Sequence, residues 1–391
     1  MCSEFEASPF GQAEWDAAVE RLGGSVYMTW DWLRTWWAFY GRGCTLRLFW
    51  FEKDGEVVGL LPLYIQCVGP GPLGIRVARL VGANIPPKVF DPPMHPDFVA
   101  SCLAMAWGRL QQECDVLSLG PVSEAREGWR RTITAPDEMG SPSPFKAAQA
   151  EVHTLFPLLP SYEQYVGALG KNEQKNRRKY ELRLLRKEYP VRLVTWTQPG
   201  PELERAFERF INLHSRQWRA EGLPGHFGAW PRGAEYNRSL VAAHSTRGRV
   251  RIMELWAGEE HIGGQYAFAH GDRWYWELPA RAPDERWSRF SLGPTVLMLL
   301  IAEAIREGCK WVEGGLGHYE YKLRLGAREY PVWVLRFAKR GAGPTARRLL
   351  ARMIQGALRV GYHKLWYRRI QPRLSERWKR PQWSLWLHYD Y

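Results

Sequence analysis

The alternation of apolar and polar positions divides the chain into two stretches with the same order of elements. In the first, Trp30, Leu33, Trp36 and Trp37 recur at helical spacing between Thr29 and Tyr40, and Gly41 can end that helix. Residues 45–51 then read as a strand, and Lys53-Asp54-Gly55-Glu56 as a tight turn in which Gly55 can take positive φ. Residues 57–65 read as the returning strand. More strand signal falls at Val77 to Val81 and Val116 to Leu119, with a helical stretch from Pro96 to Gln112 between them. A segment rich in Ser, Pro and charge runs from Ser123 to Ala147. Its sharpest breaker, Ser141-Pro142-Ser143-Pro144, marks the expected domain boundary.

The second stretch repeats the first. A helix is expected over Pro201 to Ala220, with Phe207, Phe210, Ile211, His214 and Trp218 on a shared face. A strand over Arg249 to Trp256, a turn at Gly258-Glu259-Glu260 and a strand over Ile262 to Ala269 follow. A glycine comes early in the returning strand of both copies, Val58-Gly59 and Ile262-Gly263. Beyond it come an aromatic strand (Arg273 to Leu278), a helix (Gly293 to Ile305), a short strand (Lys310 to Glu313) and a last strand (Pro331 to Phe337). Two copies of one unit explain the length better than two unrelated domains. The expected fold is α/β, with mixed sheets and flanking helices. It has two tandem units, residues 1–145 and 146–340, and a basic, aromatic-rich helical tail, residues 341–391.

Charge changes this picture at one place only. The net charge is +13, yet from Lys339 onward there are thirteen Lys and Arg against Glu376 and Asp390 alone. The excess therefore belongs to the tail. Arg347, Arg348, Arg352 and Arg359 can share faces with Leu349, Leu350, Ile354 and Leu358 in an amphipathic helix, which suits an anionic membrane surface. The competing reading has the aromatic residues packing on the neighbouring domain and the charges solvated. Six scattered cysteines without a CxxC pair fit a reducing compartment and speak against a disulfide framework or structural zinc. Glu4 and Glu6 stand where a signal peptide would be basic, and no apolar run approaches the ~20 residues of a membrane span. The expected location is the cytoplasm, with peripheral attachment to the inner membrane surface through the tail.

Candidate chemistry gathers in the second stretch. The Gly293-Pro294 pair opens a helix after a strand and loop, and a helix N-terminus offers free N–H groups to a pyrophosphate. An ordinary loop-to-helix entry would look the same. Glu277 interrupts the aromatic run Trp274-Tyr275-Trp276 and is a candidate base. His214 is a second candidate, although its apolar face also suits a core histidine. His318, Tyr319, Tyr321 and Lys322 follow the glycines at 314, 315 and 317. If the chain stays extended there, Tyr319 and Tyr321 share one face and Lys322 takes the other.

The run from Gly314 to Gly326 resembles the segment closing the acyltransferase domain of the CelD-type, cellulose-biosynthesis-associated branch of GNAT proteins. It also resembles the element of Fem-type peptidyltransferases that reads aromatic, x, aromatic-Lys, x, x, aromatic-Gly. Tyr319, Tyr321, Lys322 and Gly326 fit it, and Leu325 replaces an aromatic residue. Leu213 to Trp218, the turn Gly258 to Gly263 and the basic stretch Leu169 to Arg186 extend the resemblance over about residues 156–337. That basic stretch includes Lys171, Asn172, Lys175, Asn176, Arg177 and Arg178. The resemblance departs at the phosphate loop: Arg289-Phe290-Ser291-Leu292-Gly293-Pro294 keeps one glycine, displaced by one position.

The resemblance implies two tandem GNAT-like units, the second catalytic. It implies transfer of an acetyl or other acyl group from acyl-CoA to an amine or hydroxyl of a small polar or sugar-type acceptor, with N-acetyl transfer foremost, as in polysaccharide biosynthesis. Attack is direct, without metal or covalent enzyme intermediate. Lys322, Tyr321, Glu277 and His214 are the expected catalytic residues. Arg289, Ser291, Gly293 and Thr295 would hold the donor, and Trp218, Trp276, His318 and Tyr319 the acceptor. Two alternatives stay open: a Fem-like aminoacyltransferase using charged tRNA, and a non-catalytic protein binding polyanions or membrane surfaces on a degenerate GNAT scaffold.

Overall fold

The turn at residues 53–56 sets the first sheet in motion. Asp54 and Gly55 both take positive φ, 53° and 82°, which matches the twist a two-residue hairpin needs. In the computed structural model, which describes residues 1–69, 71–83, 88–134, 145–180, 182–374 and 381, the chain folds as two units. One comprises Met1–Glu151 with Pro331–Tyr391, the other Val152–Tyr330. The chain begins with α1 (Gln12–Arg21), α2 (Trp30–Tyr40), β1 (Thr45–Lys53), β2 (Glu56–Val68), β3 (Ile75–Leu80), α3 (Val99–Leu110), β4 (Val116–Ser123) and α4 (Glu127–Thr134). It continues with β5 (Phe145–Pro157), α5 (Tyr162–Ala168), α6 (Lys171–Tyr180), α7 (Arg183–Glu188), β6 (Val191–Trp196), α8 (Pro201–Ala220), α9 (Gly225–Ala229) and α10 (Gly233–Ser245). Then come β7 (Val250–Ala257), β8 (Glu260–His270), β9 (Arg273–Arg281), α11 (Leu292–Arg306), β10 (Trp311–Leu316), α12 (Glu320–Arg324), β11 (Arg328–Ala338) and α13 (Ala342–Leu358).

In the first unit the strand order is β1-β2-β3-β4-β11, antiparallel except for β3 beside β4. In the second it is β5-β10-β9-β8-β7-β6, antiparallel except for β9 beside β10. A parallel pair needs a crossover, and α3 and α11 occupy the corresponding places in the two units. The repeat seen in the sequence is thus a repeat of architecture. Many of the tryptophans are core: Trp15, Trp32, Trp36, Trp274 and Trp287 are fully buried. In the second unit Phe156, Trp274, Leu297, Ile301 and Val312 form one apolar cluster between sheet and α11. Among the described residues no helix is long and apolar enough to cross a membrane.

Several expectations need correction. The segment after Ser123 is not all loop. Residues Glu127–Thr134 form α4, whose Trp129, Thr132 and Ile133 are buried on one side. The proposed breaker Ser141 to Pro144 lies outside the described residues. The basic stretch over 169–186, read by resemblance as one leader helix, holds two short helices, α6 and the start of α7, with Leu182 in the left-handed region at φ 36°. β5, β6, α1, α9 and α10 had no clear pattern. Residues 319–322 are not extended: Tyr319 caps α12, so Tyr321 and Lys322 leave a helical turn. Residues 331–340, read from the sequence as the end of the second unit, and the tail after them group with the first.

Candidate active site

Two strands that begin together and then separate make the site. β9 and β10 are in register at Trp311/Arg273, Val312/Trp274 and Glu313/Tyr275, and no further. β9 continues to Arg281 and β10 to Leu316, so a wedge opens past Tyr275 and Glu313. On its other side β9 pairs with β8, and the register shifts between Tyr266/Leu278 and Ala267/Trp276. Glu277 is therefore the extra residue of a β-bulge, outside the ladder and beside the opening.

Lys322 closes the wedge. It is 4% exposed, and its Nζ donates 2.7 Å to the carbonyl of Gly314, the first residue of β10 beyond the paired segment. The Tyr319 ring centroid lies 4.5 Å from Nζ and that of Trp276 5.5 Å away. Among the described residues no carboxylate forms an ion pair with it. Burial draws the lysine pKa down to about 8, with a small opposing pull from Glu329. The route to this contact depends on Gly314, where a Cβ would stand 2.9 Å from Phe156 and 3.0 Å from the Thr154 carbonyl.

The other expected residues divide into groups. Tyr321 packs against the apolar cluster of the unit, and burial pushes its hydroxyl up to about 12; its ring is 5.8 Å from that of Tyr319. Tyr319 is 48% exposed, at the mouth of the wedge. Trp276 is half-buried and donates through Nε1 to Gln265 at 2.7 Å. Glu277 is half-buried on the bulge.

His214 is buried, and both ring nitrogens are engaged. Nδ1–H donates to the Pro279 carbonyl at 2.8 Å, leaving Nε2 to accept from His226 at 3.1 Å. Burial lowers its pKa to about 4. The ring ties α8 to the far end of β9, and Trp218 packs beside it at 5.9 Å. His318 stands in solvent between Glu329 and Glu320, and the hydrogen bond its Nδ1–H donates to Glu329 raises its pKa.

At the start of α11, Ser291 adopts φ 49° and ψ 48° and makes no side-chain capping bond. The first N–H groups of the helix are thus left without a capping side chain. A Cβ on Gly293 would meet nothing within 4 Å, so nothing inside the protein demands glycine there. Arg289 is exposed and ion-paired with Glu188. Thr295 is turned inward: its N–H bonds the Ser291 carbonyl and its hydroxyl faces Phe290 O at 3.4 Å. Its side chain is not presented to a ligand.

A buried cluster had no signal in the linear sequence. Glu313 Oε1 accepts from Arg273 Nη1 at 2.6 Å, and Oε2 accepts from His153 Nε2 at 2.5 Å. These three come from β10, β9 and β5, at the last paired position before the wedge. Strand alternation could have placed Glu313 opposite Val312, but only the strand register brings in residues 153 and 273.

Residues 172–323 match the family model of an acetyltransferase (GNAT) domain, a match that ends just after Lys322. No curated protein matches the chain. Among solved structures, FemX is similar with a TM-score of 0.63 at 11% identity, covering 89% of this chain and 99% of that one. L-PGS from Bacillus licheniformis gives 0.50 at 13% identity, over 88% and 97%. A conserved protein of unknown function from Bacteroides thetaiotaomicron gives 0.52 at 9% identity, over 84% and 98%. At these identities the likeness is one of fold, and residues 172–323 are similar to a GNAT-type acetyltransferase domain.

Proposed function

We propose that the Val152–Tyr330 unit is an acyltransferase. It would move an acetyl or other acyl group from acyl-CoA to an amine or hydroxyl of a small polar or sugar-type acceptor. The observation that carries this reading is Lys322, a buried lysine with a lowered pKa and, among the described residues, no carboxylate ion-pair partner, where β9 and β10 separate. A buried charge without a paired acid is costly, and such perturbed groups cluster at functional sites. The acceptor attacks the thioester carbon, the carbonyl oxygen becomes an oxyanion, and the C–S bond then breaks as the acceptor loses its proton to solvent or thiolate. Near neutral pH Lys322 is mostly protonated and stabilises the oxyanion or a donor phosphate. The backbone freed by the bulge at Glu277 offers a second donor on the opposite wall. The open first turn of α11, with Gly293, would receive the pyrophosphate. N-acetyl transfer and the CelD-type branch are the finer forms of this reading.

A Fem-like transfer from charged tRNA is the second reading, favoured by the single displaced glycine in the phosphate loop and by the FemX-like fold. Thermal denaturation with acetyl-CoA separates them. Stabilisation of the wild type, lost in Gly293→Val, supports the acyl-CoA donor. No stabilisation by acetyl-CoA, with binding of charged tRNA, would replace it with the second reading. Binding of neither would remove both.

A further inference from the structure

The first unit contains a cationic cavity that the transferase reading does not use. It has a volume of about 320 Å³ and lies between the ends of β4, β5 and β11 and the first half of α13. Lys146, Arg336, Arg340, Arg348 and Arg352 line it, and no acidic residue does. Among the described residues no carboxylate pairs with Lys146, Arg336 or Arg340, and Arg336 Nε is buried without a hydrogen-bond partner. The neighbouring Arg347 does find an acid, Asp115, at 2.5 Å on another face of the helix, which fixes α13 in place. The like charges of Lys146, Arg336 and Arg340 are therefore held near one another by the fold. Thr345, Arg348, Leu349 and Arg352 follow the i, i+3, i+4, i+7 spacing of one helix face.

The geometry points to a binding site for the phosphate headgroup of an anionic lipid, with α13 lying on the bilayer surface. Phosphate suits the arginines, which donate in a planar fork. A lipid is favoured over a free phosphate ester by two observations. The cavity is also lined by Val116, Phe145 and Leu349, apolar walls a small polar ester would not use. Around it, Leu349 and Met353 of α13, and Val360, Leu365, Trp366 and Ile370 just beyond, are exposed apolar side chains on a basic helical segment. That is the pattern of an interfacial helix. The site is distinct from the wedge of the second unit and does not depend on its chemistry.

Co-sedimentation of the full chain with phosphatidylcholine vesicles, with and without phosphatidylglycerol, tests this. Arg336→Gln/Arg340→Gln removes two charges from the cavity; Arg42→Gln/Arg109→Gln removes two exposed charges far along the chain from both the cavity and the interfacial segment. The expected result is pelleting that requires phosphatidylglycerol. It should weaken at least about tenfold in the cavity variant and less than about threefold in the control. Equal weakening in both means diffuse attraction and overturns the site, as does no pelleting at all. Saturable binding of glycerol 3-phosphate without vesicle binding overturns the lipid in favour of a soluble ester. Should the double variant melt early, the exposed Arg340→Gln alone is compared with Arg42→Gln on the same vesicles.

Discussion

Replacing Lys322 with methionine separates stability from function in a way that depends on pH. The ammonium is buried with one carbonyl partner, and its pKa falls from 10.5 to about 8. A lysine whose folded pKa is depressed favours folding only where it is neutral. Its contribution is fully present above the unfolded pKa and is lost as pH falls through the folded one. At pH 7 the wild type therefore carries a penalty of about 3 kcal/mol, which shrinks to under about 1 kcal/mol at pH 10. Methionine removes the charge but leaves the Gly314 carbonyl unpaired, at a cost of about 1 kcal/mol. Lys322→Met should be more stable than wild type at pH 7 by about 1–2 kcal/mol, with the difference vanishing or reversing by pH 10. Urea denaturation of both proteins at the two pH values measures this. In the same variant kcat should fall by about 10²–10³, as for loss of one preorganised oxyanion donor. The reasoning is refuted if the variant is clearly less stable at pH 7, or if it keeps more than about a third of wild-type kcat/KM, a loss under about 1 kcal/mol.

Further outcomes follow from the same geometry. The kcat/KM profile should decline above about pH 8 as Lys322 loses its proton; in Lys322→Arg, which recovers part of the rate, that limb should move beyond the measurable range. A limb that stays near pH 8 in Lys322→Arg would assign it to another group. Gly293→Ala should raise thermal stability slightly, because alanine suits a helix better and its Cβ meets open space, while weakening acetyl-CoA binding in calorimetry; unchanged binding would put the donor elsewhere. His214 is neutral in the fold, with its pKa depressed to about 4, so its stabilising contribution is present above about pH 6.5 and lost toward pH 4. His214→Phe should flatten that part of the acid unfolding curve. Glu313→Ala removes a carboxylate shared by half-buried Arg273 and buried His153 and should cost about 1–3 kcal/mol, read by urea denaturation.

The sequence by itself determined the repeating order of elements. Helix α8 was legible to the residue because its apolar face recurs over twenty positions, and the hairpins because a glycine must take positive φ at each turn. It also singled out Lys322, Tyr321 and Gly293 as candidates, since their spacing around glycines is local. What it did not determine lies in contacts that no spacing encodes. The conformation at 319–322 was decided by tertiary packing, which favoured a helical turn where the linear pattern suggested extension. Glu277 became a bulge residue only through its register with β8. His214 was on the expected face, but its bonds to Pro279 and His226 come from chain that folds back later. The Arg273–Glu313–His153 cluster and the arginine-lined cavity of the first unit likewise join distant segments. Periodicity reports which side of an element is apolar; register and packing decide which charges end up together, and in this chain the charges bear the proposed chemistry.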